Sequence, residues 1–364
     1  MERGFLSSRM FSKFPALHFI FFLTACLFTG QAFALGLSGN GTAASVATRD
    51  KPLEVAVGIE IDQISFVDQK SENFGVVATI RMDWNDPALA FDPEEYGRAY
   101  RIMKRDAFGD YVNSVHTVAP AFVVQNQQSN KWVHQARVVI LPNGDARYLE
   151  KSSVTLQAPH FNFTRYPFDR QKFYFEVVSI LPSELVIYSV MDEFSGLGAL
   201  LGEEEWVLGN AKMELSTVTG LSGLKSDKVA LAFEGTRHGM YYVIRIFLPM
   251  LILVVVSWAT FFLNEYRKRI ELAGANLLVF VAFNWMISDD LPKLGYLTFL
   301  DFILQWMFVV TGAIIVFSVG LSRLKSSGRE MTAQRVDNYV IKLVYPLGYG
   351  AIVGFAVYNY LLVG

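Results

Sequence analysis

From Ile246 to Leu263 the chain runs eighteen residues without a charge. As a helix that stretch rises about 27 Å, close to the ~30 Å of hydrocarbon in a bilayer. Phe302 to Leu321 and Leu343 to Val363 are uncharged over similar lengths, so the second half of the chain must meet lipid and cannot close around one water-surrounded core. The segment from Ile270 to Asp290 is as long but is interrupted by Glu271, Gly274, Asn276 and Asn284. Such residues are costly against lipid and belong beside protein or water. Four helices are expected, at about 241–263, 270–290, 296–321 and 339–362. Arg267, Lys268 and Arg269 fall between the first two, and Arg323, Lys325, Arg329 and Arg335 between the last two. That excess of cations puts both loops on the cytoplasmic side and both termini outside.

The beginning of the chain reads as an export signal over residues 1–34. Arg3, Arg9 and Lys13 precede an apolar run from Phe14 to Phe28, and Ala32-Phe33-Ala34 supplies a small-residue cleavage site. The domain that follows is then extracytoplasmic, in the periplasm if the cell is Gram-negative. A second reading takes Leu23-Thr24-Ala25-Cys26 as a lipid-attachment site. Cys26 is the only cysteine, so the mature chain has neither an internal disulfide nor a thiolate metal site. Residues 35–50, rich in Gly, Ser, Thr and Ala, bury too little apolar surface to order themselves and form a flexible lead. The net charge of -2 argues against a nucleic-acid partner.

Residues 51–238 carry a different period. Leu53, Val55, Val57, Ile59 and Ile61 occupy alternate positions, as do Phe74, Val76, Ala78, Ile80, Met82 and Trp84, the pattern of strands with one buried face. The polar turn Asp68-Gln69-Lys70-Ser71 joins them as a hairpin. Short strands recur around Arg137 to Leu141, Gln171 to Ser179, Leu185 to Val190, Ala211 to Thr217 and Lys228 to Phe233, and Pro142-Asn143-Gly144-Asp145 is a turn. The expected fold is a β-sandwich followed by a four-helix transmembrane bundle. No phosphate-cradling glycine loop, metal-ligand spacing or nucleophile with a base stands out, so no enzyme, cofactor or metal is expected.

On the polar span, steps of four and three residues align Glu271, Ala275, Leu278, Ala282, Trp285 and Asp289 on one helical face. Eighteen residues close five turns, so this stripe runs from one interface to the other. A ring of identical copies would turn each member into a ring about a shared axis, with Leu278 as an apolar constriction and Glu271 drawing cations at the cytoplasmic mouth. The other arrangement is the packed side of a core helix, with Glu271 paired to Arg267 or Lys268.

The run Phe163-Thr164-Arg165-Tyr166-Pro167-Phe168-Asp169-Arg170-Gln171 resembles the aromatic-Pro-Phe-Asp-x-Gln signature of pentameric ligand-gated ion channels. Trp84-x-Asp86-Pro87-x-Leu89, Arg237 before the first span, Leu248-Pro249-Met250 within it and Leu291-Pro292-Lys293 after the second follow the same family's order. The resemblance covers roughly Leu53 to Leu362. It implies a homopentamer in membrane lipid whose second helices line a pore for monovalent cations. The two positions that are cysteines in animal members hold Pro159 and Phe173, and the linker from Ser322 to Asp337 is short, so the chain looks like the prokaryotic branch. Asp169 needs a partner, and Arg237 is the natural one. The resemblance also implies that Tyr166, Pro167, Phe168 and Asp169, together with the Asp68 turn, rest on Pro292 and Lys293, so that movement of the sandwich tilts the pore helices. A purely stabilising role for Asp169 with Arg237 stays open.

In amine receptors of this family an aromatic cage holds the agonist cation. Counting from Pro120, Phe173 and Trp84 puts Gln125, Ile180 and Thr79 at the cage positions, and a quaternary amine is not expected. Arg81 and Arg137 either face a subunit cleft and bind a carboxylate or are solvated. His116, His134, His160 and His238 either sense protons or serve structure. Glu203, Glu204 and Glu205, with Asp192 and Glu193, either gather a divalent ion or form a solvated loop. The expected function is a homopentameric, cation-selective channel opened by a small extracellular ligand or by protons. The alternative is a non-conducting membrane receptor of the same architecture.

Overall fold

A computed structural model describes residues 51–202, 205–220, 223–288 and 293–363. The export signal, the lead and Cys26 lie outside the described residues, as do Glu203, Glu204, Asp289 and Pro292.

Eleven strands are described: β1 (Leu53–Asp68), β2 (Asn73–Asn85), β3 (Arg101–Lys104), β4 (Phe122–Val124), β5 (Trp132–Ile140), β6 (Asp145–Gln157), β7 (Arg170–Ser179), β8 (Val186–Val190), β9 (Gly196–Leu197), β10 (Trp206–Thr219) and β11 (Lys225–Arg237). One sheet runs β3-β5-β6-β2-β1-β8 with β9 on β1, and the other runs β10-β11-β7-β4. The alternating residues of β1 and β2 pair across the strands, Val57 with Met82 and Ile59 with Ile80, and all four are fully buried. The second sheet answers with aromatics. Phe173 stacks on Phe233 at 5.1 Å, and Phe74 of the first sheet meets Phe173 edge-on at 5.0 Å, the geometries that ring quadrupoles favour. Phe173, at one of the family's cysteine positions, is thus a centre of the core.

Four helices are long and apolar enough to cross a membrane: Gly239–Thr260, Tyr266–Ile287, Phe299–Ser326 and Tyr345–Val363. The first widens into a π turn over Val243–Phe247 just ahead of Pro249, whose ring and missing N–H disrupt a regular ladder. The second begins at Tyr266, earlier than the composition places it, so Arg267, Lys268 and Arg269 form its first turn and not a loop. Each of the three finds its own acid: Arg267 takes Glu271, Lys268 takes Glu265 and Arg269 takes Asp337. That pairing lets a helix start among three cations. The linker after the third span is also shorter than expected. A helix over Glu330–Tyr339 follows a break of only Ser327 to Arg329, and continues through a π turn into the fourth span.

Candidate functional site

The second span has two unlike faces. Arg269, Ala273, Asn276, Phe280 and Ile287 are buried, spaced by three, four or seven residues as one helical side requires. Asn276 donates to the Leu253 carbonyl at 3.1 Å and to the Ser257 hydroxyl of the first span, which satisfies a polar group inside the bundle. The opposite side is bare. Glu271, Ala275, Leu278, Ala282 and Trp285 are all exposed, with Leu278 at 70% and Trp285 at 82%. The stripe is therefore not the packed side of this helix, although Glu271 does pair with Arg267 at 3.0 Å. Leu272, Val279 and Met286 beside it are also exposed.

At the sandwich end, the aromatic-Pro-Phe-Asp loop sits on the first and third spans. The Tyr166–Pro167 peptide is cis, and both residues are buried. Phe168 is 40% exposed, and it stacks on Phe247 at 5.7 Å and meets Phe299 edge-on at 6.0 Å. Thr298 and Asp301 form a capping box at the start of the third span. The first helical N–H, that of Phe299, has no intrahelical acceptor and donates to the Thr164 carbonyl at 2.8 Å. The Tyr296 hydroxyl accepts from Phe163 N at 3.1 Å. Between the second and third spans the described loop contacts are with Tyr296 and Phe299, and Lys293 is exposed. The Phe299 N–H, at the helix start, donates to this loop, and the Tyr296 hydroxyl, just ahead of the helix, accepts from it.

Asp169 and Arg237 are joined as expected, Nε to Oδ1 at 2.8 Å, with both side chains almost fully buried. Burial opposes the Arg237 charge, but the Asp169 carboxylate outweighs it and holds the guanidinium above its ordinary pKa. The Arg237 guanidinium lies 4.1 Å from the Trp206 ring centroid and 4.9 Å from that of Tyr166. A third partner was not legible in the sequence: Glu205 accepts from Arg237 Nη1 at 2.8 Å, from the Tyr242 hydroxyl at 2.8 Å and from Gln69 Nε2 at 2.9 Å. Glu205 therefore belongs to this junction; among the described residues no group of three metal-ligating side chains occurs. Asp68 anchors its own turn, accepting from Lys70 N at 2.9 Å and Ser71 N at 3.1 Å. The hydrogen bonds from Ser71 hold its carboxyl below the usual range. A cavity of about 770 Å³ separates this turn from the spans, lined among others by Gln69, Glu205, His238, Arg245 and Met286.

The five candidate ligand residues divide between the sheets. Thr79 donates to Asp62 at 2.6 Å. Arg81 grips Asp83 through Nε at 3.0 Å and Nη2 at 2.6 Å, and that bond raises its pKa. Arg81 and Arg137 both pair with Leu149, so they flank it in one cross-strand row. Gln125 and Ile180 are exposed beside β4 and β7.

A sandwich of this topology, seated through an aromatic-Pro-Phe-Asp loop on four apolar helices, defines a multi-pass receptor of the ligand-gated channel class. Residues 40–240 match the neurotransmitter-gated ion-channel ligand binding domain family, and the chain belongs to that family. Its members are ligand-gated ion channels and not enzymes. Among similar proteins, the proton-gated ion channel of Gloeobacter violaceus is 26% identical over 252 residues, 69% of this chain and 67% of the relative. The pH-sensitive chloride channel 2 of Drosophila melanogaster is 23% identical over 317 residues, 81% of this chain and 58% of the relative. The glutamate-gated chloride channel of Drosophila melanogaster is 25% identical over 288 residues, 74% and 58% of the two chains. The chain spans between about half and two thirds of the length of such relatives.

Proposed function

We propose that the chain assembles as a homopentamer in a cell membrane and conducts monovalent cations along an axis bordered by Glu271, Ala275, Leu278, Ala282, Trp285 and Asp289. The observation that carries this reading is the two-sidedness of the second span, which buries Ala273, Asn276 and Phe280 in its own bundle and leaves the Leu278 side bare. Five copies would convert Leu278 into a constriction that gates by excluding water. Relatives named as a proton-gated channel and as chloride channels leave the permeant sign to this chain's own residues, and the Glu271 carboxylate favours cations.

Opening follows from the junction. With the sandwich outside, a small ligand or protons would shift the segments that carry Asp68, Tyr166, Pro167, Phe168, Asp169 and Arg237, and these would act on the spans through Tyr296 and Phe299 and through Pro292 and Lys293. A ligand between subunits would meet Thr79, Arg81 and Arg137 of one sandwich and Gln125 and Ile180 of the next. Arg81 and Arg137, in one row, suit a carboxylate.

Recording from purified protein in planar bilayers, with thiol reagents applied to cysteines placed along the stripe, tests the pore. Discrete openings, blocked by modification at positions 275, 278 and 282, are expected. A membrane receptor without a pore would give none, and thiols there would stay unreactive.

A further inference from the structure

Gln125, Ile180 and Thr79 leave the expected agonist positions without an aromatic ring, yet elsewhere in the sandwich three rings close around one cation. The guanidinium of Arg101, on β3, lies 4.3 Å from the Phe91 ring centroid, 4.2 Å from that of Tyr96 and 5.4 Å from that of Tyr111. Each ring comes from a different element. Phe91 is pinned by its N–H, which donates to the Pro142 carbonyl at 3.2 Å. Tyr96 ends a turn of helix over Pro93–Tyr96, capped by Asp92 and stopped by Gly97 in the left-handed region, and meets Phe91 edge-on at 5.4 Å. Tyr111 stands on the helix Arg105–Ser114. Phe91 and Tyr111 pack against the sandwich core, whereas Tyr96 is 44% exposed. The cage therefore has two fixed inner walls and one wall at solvent.

Arg81, Arg237 and Arg269 each hold a carboxylate. Arg101 holds none among the described residues: Nη1 donates to the Tyr111 hydroxyl at 2.9 Å, and Nε is buried there without an acceptor. Ring faces attract any cation within about 6 Å, but they do not satisfy the N–H groups of a guanidinium, and a buried donor left unpaired is costly. A cation that carries methyl groups in place of N–H has no such need. We propose that Phe91, Tyr96 and Tyr111 form a site for a small organic cation of the quaternary ammonium class, which Arg101 fills from within the chain until such a cation displaces it. The site does not depend on the pore reading above. Between Asp92 and Asp110, with Arg101 set aside, the five acids Asp92, Glu94, Glu95, Asp106 and Asp110 outnumber Arg98, Lys104 and Arg105, a balance that draws a cation towards the rings. Arg101 competes with the effective concentration of a tethered group, so the parent chain binds in the millimolar range.

The test titrates tetramethylammonium chloride into the full detergent-solubilised chain, with sodium chloride at equal ionic strength as the reference, and follows the heat of binding and the melting temperature. Saturable binding is expected in the parent, tightened about tenfold or more in Arg101→Ala, where the tethered competitor is gone. In the Arg101→Ala background, Tyr96→Phe should keep that binding and Tyr96→Leu should lose most of it, since leucine offers apolar area without a ring quadrupole. A folded Arg101→Ala chain that binds no more tightly than the parent overturns the proposal, as does a Tyr96→Leu chain that binds as well as the Tyr96→Phe chain. Should Arg101→Ala fail to fold, the same two Tyr96 variants in the parent background decide: loss in Tyr96→Leu alone supports the site, and equal binding overturns it.

Discussion

Arg269 and Asp337 stand 68 residues apart and meet as a buried ion pair with two parallel bonds, Nη1 to Oδ1 at 2.7 Å and Nη2 to Oδ2 at 2.9 Å. The remaining Nε–H of Arg269 donates to the Leu263 carbonyl at 2.6 Å. The first turn of the second span is thereby tied to the helix that leads into the fourth.

Cutting this tie on one side leaves a desolvated charge, whereas replacing both partners does not. Asp337→Ala is expected to lower stability by about 3–5 kcal/mol, and the double change Arg269→Met with Asp337→Leu by much less. Thermal unfolding of the detergent-solubilised protein reads both. Equal losses in the single and double variants would show that packing, and not the orphaned guanidinium, sets the cost.

The two acids on Arg237 differ in exposure, and that difference ranks them. Asp169 is about 1% exposed and Glu205 is 40% exposed, so water can replace Glu205 but not Asp169. Asp169→Asn should therefore lower stability by a few kcal/mol, of the order of a broken buried pair. Glu205→Gln should cost about 1 kcal/mol or less and act mainly on opening. Melting curves and ligand or proton activation curves, taken together, separate the two. A larger melting shift for Glu205→Gln would reverse the assignment.

These pairs mark where sequence reasoning stopped. Strands β1 and β2 were legible because their buried residues are all apolar and keep step over many positions. Strand β6 was not, because its inward side includes Glu150 and Ser152, both fully buried, and its outward side includes Leu149. The Glu150 charge is answered by Lys131 Nζ at 2.6 Å, a partner no periodicity reveals. The signature loop was recognisable, and Arg237 could be named, since an invariant need for a counter-charge points to the nearest arginine before a span. Its closure without a disulfide was not: Gln171 accepts from Asn162 N at 2.8 Å and donates to Asn162 O at 2.9 Å, clasping the loop with one amide. Glu205, in a run of three glutamates, carried no mark that set it apart from a solvated acid.

Asp83 lies between Arg81 and Arg147, accepting from both guanidinium groups at 2.6 to 3.2 Å. Burial opposes its charge, but the hydrogen bonds from the two arginines outweigh that and hold the carboxyl below its ordinary range. A depressed folded-state pKa contributes stability that is complete above the unfolded value, about 3.9, and is lost as pH falls through the folded one. The melting difference between the parent protein and Asp83→Asn should then be constant from pH 8 to about 5 and shrink only in stronger acid. A difference that changes between pH 8 and 6 would mean another titrating group acts through Asp83.

Leu278 is 70% exposed in a helix whose other side is fully engaged, and no contact within the subunit needs its isobutyl group. Leu278→Ala therefore costs little of the 2–5 kcal/mol that a buried leucine loses on truncation, and its effect should be functional. In the closed ring proposed above, leucine would keep the constriction dry because water there finds no hydrogen-bond partner. Leu278→Ser supplies five hydroxyls at that level, wets the closed state and lowers the work of opening. Current without any added ligand, and activation at lower ligand or proton concentration, are expected in bilayer recordings. Leu278→Val should stay close to the parent, since it narrows nothing and adds no polar group. Should Leu278→Ser close as tightly as the parent while assembling normally, the constriction lies at another ring of the stripe, and Ala275 and Ala282 become the positions to test.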